Sequence, residues 1–208
     1  MTDWIQGRVA AKTQWSEQLF SLQIEVPSYT FKAGQYVKIA LDIDGKRIGR
    51  PYSLVNAPDE RRLEVYFNEV QEGPLTPRLS DLVEGDPLWL SRKAGGVFTL
   101  DHVVQRKQLW LLATGTALGV YLSILKTTEP WSLFEQVVLV HGVRCAEDLS
   151  YGETIADLQK THPDQFIFIP TLSRERKEGA LHGRITALLS NGELEQNAGM
   201  LINPDDSH

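Results

Sequence analysis

Three short apolar runs dominate the second half of the chain, at residues 109–113, 136–142 and 166–170. Each is followed by a segment in which apolar residues recur three and four positions apart, which is the spacing of a helix face. Strands that are apolar throughout are typical of a parallel sheet whose two faces are both covered by helices. The alternation therefore predicts an α/β domain with a doubly wound parallel sheet over residues 101–208.

Local signals place the ends of two helices in this half. Ser150-Tyr151-Gly152-Glu153 has the pattern of a capping box, in which a serine hydroxyl and a glutamate three residues later bind backbone N–H groups at the helix start. Asn191-Gly192 contains residues that often end a helix. We therefore expect one helix to begin near Ser150 and another to end before Gly192.

The first hundred residues have a different pattern. Short stretches alternate apolar and polar residues, as strands with one buried face do, and Asp44-Gly45 is a two-residue hairpin signal. About six such strands with few helices predict an antiparallel six-stranded β-barrel over residues 1–100. One helix interrupts the barrel, with Thr76 predicted as its N-cap and Pro77 as its first residue. The free backbone N–H groups of that helix start would form an anion site.

Composition excludes several classes of protein. The uncharged stretch 109–125 has the length of a short membrane-spanning helix, but Thr114-Gly115-Thr116 interrupts it with turn-forming residues, so no membrane span is predicted. A net charge of −6 without a long basic run predicts no nucleic-acid partner. The single cysteine and the scattered histidines predict no metal site, and the start of the chain lacks a signal-peptide pattern, which predicts a cytoplasmic protein.

The stretch Arg50-Pro51-Tyr52-Ser53 combines a guanidinium group, an aromatic ring and a hydroxyl within four residues. Pro51 disfavours helical backbone at Arg50, so the arginine side chain is expected to project from an extended strand. This set of groups has the chemistry to hold a phosphorylated ring compound, although by itself it is equally consistent with an ordinary surface strand. Because no nucleophile–base pair is apparent elsewhere, the sequence favours a bound cofactor as the source of the chemistry.

Five motifs together resemble those of the ferredoxin/flavodoxin–NADP reductases, in the bacterial branch of the plant-type family. In chain order they are Arg50-Pro51-Tyr52-Ser53, Ala-Thr-Gly-Thr-Ala-Leu-Gly at 113–119, His-Gly-Val-Arg at 141–144 with Asp-Leu-Ser-Tyr at 148–151, Ser-Arg-Glu at 173–175 and Gly-Arg-Ile at 183–185. They occur in the family's order and at compatible spacing, from Trp4 almost to the last residue. The resemblance implies an FAD-binding barrel followed by an NADP-binding domain.

The resemblance also implies roles for individual residues of the barrel. Arg50 would bind the FAD pyrophosphate, Tyr52 would stack on the isoalloxazine ring, and Ser53 would lie beside flavin N5, where hydride arrives. Tyr52 and Ser53 are thus the implied catalytic residues. The rest of the FAD cradle would consist of Pro51, Tyr66, Pro74, Leu75 and Thr76, with Thr116 approaching from the second domain.

In the second domain the resemblance assigns NADP to Val143, Arg144, Ser173, Arg174 and Arg184. Arg174 and Arg184 would lie near the 2′-phosphate, where guanidinium groups discriminate NADP from NAD. The implied activity is electron transfer between NADPH and a ferredoxin or flavodoxin, by hydride transfer to flavin N5 followed by single-electron release. We expect the protein to act as a monomer.

The end of the sequence departs from the family pattern. Residues 199–202 resemble the start of the family's next strand, but residues 203–208 do not contain the Cys-Gly-x-Pro type of turn that follows it there. We therefore expect the parallel sheet to lack its C-terminal end. Besides a reductase that turns over, two alternatives remain open on the sequence. One is a flavin subunit that feeds an attached iron–sulfur cluster, which the single cysteine disfavours within this chain, and the other is a truncated FAD-binding fragment that does not turn over.

Overall fold

The computed structural model describes residues 2–104 and 106–208. In chain order its strands and helices are β1 (Trp4–Gln14), β2 (Leu19–Glu25), β3 (Tyr36–Ile43), β4 (Lys46–Ser53), β5 (Leu63–Asn68), α1 (Thr76–Asp81), β6 (Pro87–Ser91), β7 (Gln108–Thr114), α2 (Leu118–Leu125), α3 (Glu129–Leu133), β8 (Gln136–Val143), α4 (Gly152–Thr161), β9 (Phe166–Leu172), β10 (Leu181–His182), α5 (Ile185–Ser190) and α6 (Glu193–Ala198). The chain divides into two compact units. The first comprises the residues up to Leu100 together with Gly119–Thr127, and the second comprises Asp101–Leu118 together with Thr128–His208.

Strands β1 to β6 of the first unit form one antiparallel sheet in the order β4-β3-β6-β1-β2-β5. The sheet closes into a barrel where the chain leaves β4. There Leu54 forms an antiparallel bridge with Val65 of β5, and the Val55 N–H donates to the Glu64 carbonyl at 2.9 Å. Because alternate side chains of each strand point inward, the interior is filled by apolar residues, and α1 adds Leu79 to the same core. The predicted six-stranded antiparallel barrel is confirmed.

Asn56 reinforces the point of closure. Its side chain is fully buried, its Oδ1 accepts from the Glu64 N–H at 2.8 Å, and its Nδ2 donates to the Ala57 carbonyl at 2.9 Å. The Ser123 hydroxyl of α2 donates to the Asn56 carbonyl at 2.7 Å. A buried amide with these bonds fixes the path of the chain between β4 and β5, because breaking them would leave polar groups unpaired away from water.

The hairpin between β3 and β4 has the predicted turn. Asp44 and Gly45 have φ angles of 50° and 73°. Positive φ at both central positions is the backbone of a type I′ turn, whose twist matches that of the flanking strands. The turn sets the register in which Val37 pairs with Tyr52 and Ile39 with Arg50.

In the second unit the strands form a parallel sheet in the order β10-β9-β8-β7. Every residue of β8 from Val137 to Val143 is buried, as expected for a strand covered on both faces. Helices α5 and α6 supply Ile185, Leu188 and Leu194 to a core shared with the sheet. The predicted parallel α/β sheet is confirmed, although the two-residue strand β10 and the short helices α3 and α6 were not predicted.

The predicted capping box at Ser150, in the second unit, is wrong. Helix α4 begins at Gly152, and its N-cap is Tyr151 in the left-handed conformation (φ 58°) without a side-chain capping bond. The capping box lies earlier, between Cys145 and Asp148, because the chain first makes a short 3₁₀ turn at Ala146–Asp148. Residues 199–202 do not form a strand, and pairing with β7 is made by the last residues, where the Trp110 N–H donates to the His208 carbonyl at 2.8 Å.

None of the helices in the described part of the chain is both long and apolar enough to cross a membrane. Helix α2, the apolar helix that follows the glycine-rich turn, has eight residues.

Candidate functional site

Arg50 stands on the interior row of β4 but remains exposed. It pairs with Ile39 of β3, and the next interior position, Tyr52, pairs with Val37; both partners are completely buried. The Arg50 guanidinium donates only to the adjacent Gly49 carbonyl, at 2.9 Å, and no ion pair among the described residues includes it. This strand therefore presents a guanidinium group that an anionic ligand can bind.

Tyr52 lies beside Arg50 with its ring half-buried. It packs edge-on against Phe67 of β5, with the ring centroids 5.9 Å apart. Burial raises the pKa of the Tyr52 hydroxyl to about 12, and the positive charge of Arg50 partly opposes this rise. Because its pKa is far above neutrality, the hydroxyl remains protonated and the ring is available as a neutral stacking surface.

Pro51 and Ser53 occupy the opposite face of β4. Pro51 is exposed and pairs with Lys38, whereas Ser53 is half-buried and pairs with Tyr36. Proline lacks the N–H that a central strand would need, which suits its place on a strand that pairs along one side only. The structure thus brings the four residues of this motif together at the end of β4, two on each face.

Tyr66 is less accessible than its predicted cofactor role suggests. Its side chain is only 4% exposed. A Cβ atom at Gly119 would lie 3.5 Å from the Tyr66 Cβ and 3.0 Å from Val55 Cγ2. Glycine at 119 therefore allows α2 to approach the side chains of Val55 and Tyr66 closely, and a Cβ there would press against Val55.

The start of α1 differs from the prediction in its capping. The helix begins at Thr76, with buried Leu75 as the N-cap and no side-chain capping bond. The Thr76 hydroxyl instead accepts from the Val70 N–H at 2.9 Å, because the preceding turn folds back over the helix start. Pro74 is exposed, and its carbonyl accepts from the Arg78 side chain at 2.9 Å. Leu75 and Tyr52 contact the same core cluster, so this turn and the end of β4 share one support.

In the second unit, the glycine-rich turn follows β7 as a short 3₁₀ turn over Gly115–Ala117 that contains half-buried Thr116. Gly115 has φ of 54°, a conformation that favours glycine. Its carbonyl accepts a hydrogen bond from His141 Nε2 of the neighbouring strand at 3.2 Å. Since a carbonyl can only accept, Nε2 carries the proton and Nδ1 does not.

His141 is completely buried, and burial lowers its pKa to about 4 despite the opposing effect of the bond to Gly115. Its Nδ1 has no hydrogen-bond partner within the described residues, and neither does Thr171 Oγ1. The sequence motif contained His141, but its link to the turn was not predicted. A histidine inside an otherwise apolar strand was the available signal, because buried polar side chains are usually placed by a specific bond.

The predicted NADP residues lie at the carboxyl ends of the parallel strands, the edge at which such sheets bind ligands. The Ser173 N–H donates to the Val143 carbonyl at 3.0 Å, and the Arg174 N–H donates to the Arg144 carbonyl at 2.9 Å. Two backbone hydrogen bonds therefore join the loops after β8 and β9, and Val143, at the end of β8, is buried.

Three arginines surround this edge. Arg144 and Arg174 are exposed in the two joined loops, and exposed Arg184 precedes α5. The Gly183 N–H donates to the Leu172 carbonyl at 2.9 Å, which holds the backbone before Arg184 beside the end of β9. Throughout the described chain, none of these guanidinium groups forms an ion pair with a carboxylate. Their positive charge is available to a phosphate-bearing ligand.

No cluster of three or more histidine, cysteine, aspartate or glutamate residues within residues 2–104 and 106–208 has the arrangement of a metal site. The groups that can hold a ligand are instead guanidinium groups, an aromatic ring, hydroxyls and backbone N–H groups. These suit phosphorylated organic cofactors, and they occur in both units: on β4 in the first, and at the strand ends in the second.

Family models match both halves of the chain. The model described as an oxidoreductase FAD-binding domain matches residues 6–96, and the one described as an oxidoreductase NAD-binding domain matches residues 111–203. The matches define an oxidoreductase with a flavin-binding domain followed by a pyridine-nucleotide-binding domain.

Relatives narrow this class to one family. A flavodoxin/ferredoxin–NADP reductase of Escherichia coli is 44% identical over 208 residues, which cover 100% of this chain and 84% of the relative. A ferredoxin–NADP reductase of Azotobacter vinelandii is 36% identical, and the match covers 96% of this chain and 80% of the relative. The chain belongs to the flavodoxin/ferredoxin–NADP reductase family, as its motifs predicted.

A solved structure has the same fold throughout. It is a ferredoxin NADP⁺ reductase from Neisseria gonorrhoeae with bound FAD and NADP, and it superposes with a TM-score of 0.93 at 28% identity, covering 100% of this chain and 84% of that one. Because the similarity includes both domains, it supports the reductase function rather than the alternative of a fragment that only binds FAD.

Proposed function

We propose that this protein transfers electrons between NADPH and a ferredoxin or flavodoxin through bound FAD. Residues 1–100 supply the FAD-binding domain in this proposal, and residues 101–208 supply the NADP-binding domain. The observation that carries the proposal is the set of three exposed, unpaired arginines at the carboxyl edge of the parallel sheet. Such a set selects a ligand with several phosphate groups, and NADPH carries one more phosphate than NADH.

Bound FAD supplies the redox chemistry, because a flavin accepts an electron pair from NADPH and releases electrons singly. In the proposed arrangement Arg50 binds the pyrophosphate and Tyr52 stacks on the isoalloxazine ring. Ser53 places its hydroxyl at flavin N5. Pro51 keeps Arg50 in extended backbone, so the guanidinium group is oriented before the cofactor arrives.

The remaining cradle residues act through shape and backbone groups. Among described residues, the backbone N–H groups of Leu75 and Thr76 have no protein acceptor, which leaves them free for phosphate oxygens. Pro74 shapes the turn before them, and buried Tyr66 supports the cradle from the face of β5 that packs against α2 rather than from the barrel interior. Thr116, in the turn after β7, completes the proposed set.

For NADP, Ser173 and the backbone at Val143 hold the nucleotide at the strand ends, with Arg144 beside them. Arg174 and Arg184 bind the 2′-phosphate. A charge-assisted hydrogen bond contributes about 1.5–3 kcal/mol, so each of these two arginines accounts for about 10- to 100-fold in preference for NADPH over NADH.

The proposed protein partner requires a local basic surface, because the chain as a whole carries a net charge of −6. Lys38 and Lys93 line a surface cavity of about 460 Å³ in the first unit, together with Arg92, whose guanidinium group is paired with Asp3 at 2.6 Å. We propose this surface for docking of an acidic electron carrier. Replacing Lys38 and Lys93 by glutamate would then raise the KM for the carrier and leave that for NADPH unchanged. An unchanged carrier KM would contradict the placement.

We propose that the protein works as a monomer in the cytoplasm.

Coenzyme choice tests the proposed NADP site. Arg174→Ala and Arg184→Ala are expected to weaken NADPH binding by about 10- to 100-fold while leaving the poor binding of NADH nearly unchanged. Arg176→Ala, in the same exposed loop, is the matched control and is expected to change neither. High salt weakens NADPH binding more than NADH binding, because screening acts on the additional phosphate. Equal losses for the two coenzymes would show that the arginines hold a shared part of the molecule or the fold.

A further inference from the structure

The loops after β8 and β9 are joined by the side chains of Ser173 and Glu175 as well as by backbone bonds. The carboxylate of Glu175 accepts a hydrogen bond from the Ala146 N–H, at Oε1. The backbone of the same residue is held from a third element, because His182 Nδ1 of β10 donates to the Glu175 carbonyl at 2.7 Å. Glu175 therefore lies where the ends of three parallel strands are tied together.

The arginines of this edge depend on that tie. Arg144 is two residues before Ala146, and Arg174 is next to Glu175. Both side chains are exposed and long, so their heads are positioned chiefly by the backbone from which they extend. If the Ala146 N–H were released, the loop that carries Arg144 would keep only the longer side-chain bond from the Ser173 hydroxyl to the Val143 carbonyl, at 3.3 Å, as a side-chain link to the loop of Arg174 within the described residues.

The charge of Glu175 acts in the opposite direction from its hydrogen bond. Burial raises the pKa of the neighbouring Cys145 thiol, and the negative charges of Glu175, Asp148 and Glu147 raise it further. Arg174 opposes these carboxylates at the Cys145 thiol but does not outweigh them. The negative charge of Glu175 disfavours a nearby phosphate. The acceptor oxygen helps to build the site, whereas the charge on that oxygen weakens it.

We propose that Glu175 is a positioning residue for coenzyme binding, whose acceptor oxygen holds the Arg144 and Arg174 loops in register. This inference rests on the proposed NADP site. The proposed role predicts different effects for substitution of Glu175 by glutamine and by alanine. Glutamine keeps an acceptor oxygen and removes the charge, whereas alanine removes both.

The test is the affinity of the FAD-loaded protein for NADP⁺ and for adenosine 2′,5′-bisphosphate, titrated at fixed ionic strength. Glu175→Ala is expected to weaken both ligands by about tenfold or more, and Glu175→Gln is expected to bind them as tightly as the parent or up to about tenfold more tightly. Glu178→Ala, exposed in the same loop, is the matched control and is expected to match the parent. FAD content and the thermal midpoint are measured alongside, and neither is expected to change in Glu175→Gln.

Parent-like affinity in Glu175→Ala would overturn the inference, and so would equal losses in the glutamine and alanine variants. If Glu175→Ala failed to fold, Glu175→Gln would still decide, because weaker binding than the parent contradicts the acceptor role. Arg174→Ala separates this inference from the proposed function. Unchanged affinity in Arg174→Ala would overturn the NADP site itself, whereas a loss in Arg174→Ala without one in Glu175→Ala would overturn only the role of Glu175.

Discussion

Acid is expected to destabilise the second unit through His141. The imidazole is completely buried, with Nε2–H bound to the Gly115 carbonyl and Nδ1 without a partner in the described chain. A proton added at Nδ1 would create a buried cation that no carboxylate of the described residues contacts by a hydrogen bond, and the charge of Asp148 offsets the cost of burial only in part. Burial therefore keeps the side chain neutral and lowers its pKa from 6.5 to about 4.

The direction and size of the effect follow from these two pKa values. Between pH 6.5 and about 4 the unfolded chain binds a proton that the folded chain does not. The free energy of unfolding therefore falls by about 1.4 kcal/mol for each unit by which the pH drops, and the total loss is roughly 3 kcal/mol. The contribution is complete above pH 6.5 and is lost once the pH passes below about 4.

Urea unfolding of the parent and of His141→Gln, followed between pH 4.5 and about 7.5, isolates this contribution from the carboxylates that titrate in the same range. Glutamine can donate to the Gly115 carbonyl but does not titrate. We expect the stability of the parent to fall more steeply than that of the variant below pH 6.5. Parallel pH profiles for the two proteins, or an imidazole signal of His141 that titrates near 6.5, would refute the argument.

Three further changes test the barrel. Arg50→Ala is expected to weaken FAD retention by about 10- to 100-fold, since a charge-assisted phosphate bond is lost; full flavin occupancy after purification would show that Arg50 is an ordinary surface residue. Ser53→Ala is expected to slow anaerobic flavin reduction by NADPH while FAD stays bound, and an unchanged rate in stopped-flow measurements would remove Ser53 from the reaction. Asn56→Ala is expected to lower the free energy of unfolding by about 1–3 kcal/mol, because the Glu64 N–H loses its acceptor at the barrel closure. Exposed Asn68→Ala, in the strand that contains Glu64, is the control, and equal effects of the two substitutions would contradict the role of Asn56.

The fold was predictable because its signals are repeated along the chain. The apolar run at 136–142 matches β8, and Asp44-Gly45 matches the hairpin turn, since burial on both faces and positive φ each require particular residue types. Closure of the barrel was predicted only in outline. The buried amide of Asn56 that fixes it depends on a partner in another strand, Glu64, which periodicity does not reveal.

Helix starts were harder to predict because side chains had alternatives outside the helix. The Thr76 hydroxyl accepts from the Val70 N–H rather than capping α1. Ser150 was predicted to cap α4, but the N-cap is Tyr151, in the left-handed conformation. Contacts between residues far apart in the sequence also limited the prediction of the site. The arginines were implied by the resemblance to the reductase family, whereas the hydrogen bond between Glu175 and Ala146 joins residues 29 positions apart and becomes visible only in three dimensions.

The most direct test of the account is anaerobic addition of NADPH to the FAD-loaded protein, followed by visible absorption. We expect rapid loss of the yellow flavin absorbance with NADPH and much slower loss with an equal concentration of NADH, because the arginines at the strand ends favour the 2′-phosphate. A flavin spectrum that NADPH leaves unchanged would contradict it and would identify the chain as a protein that binds FAD without reducing it.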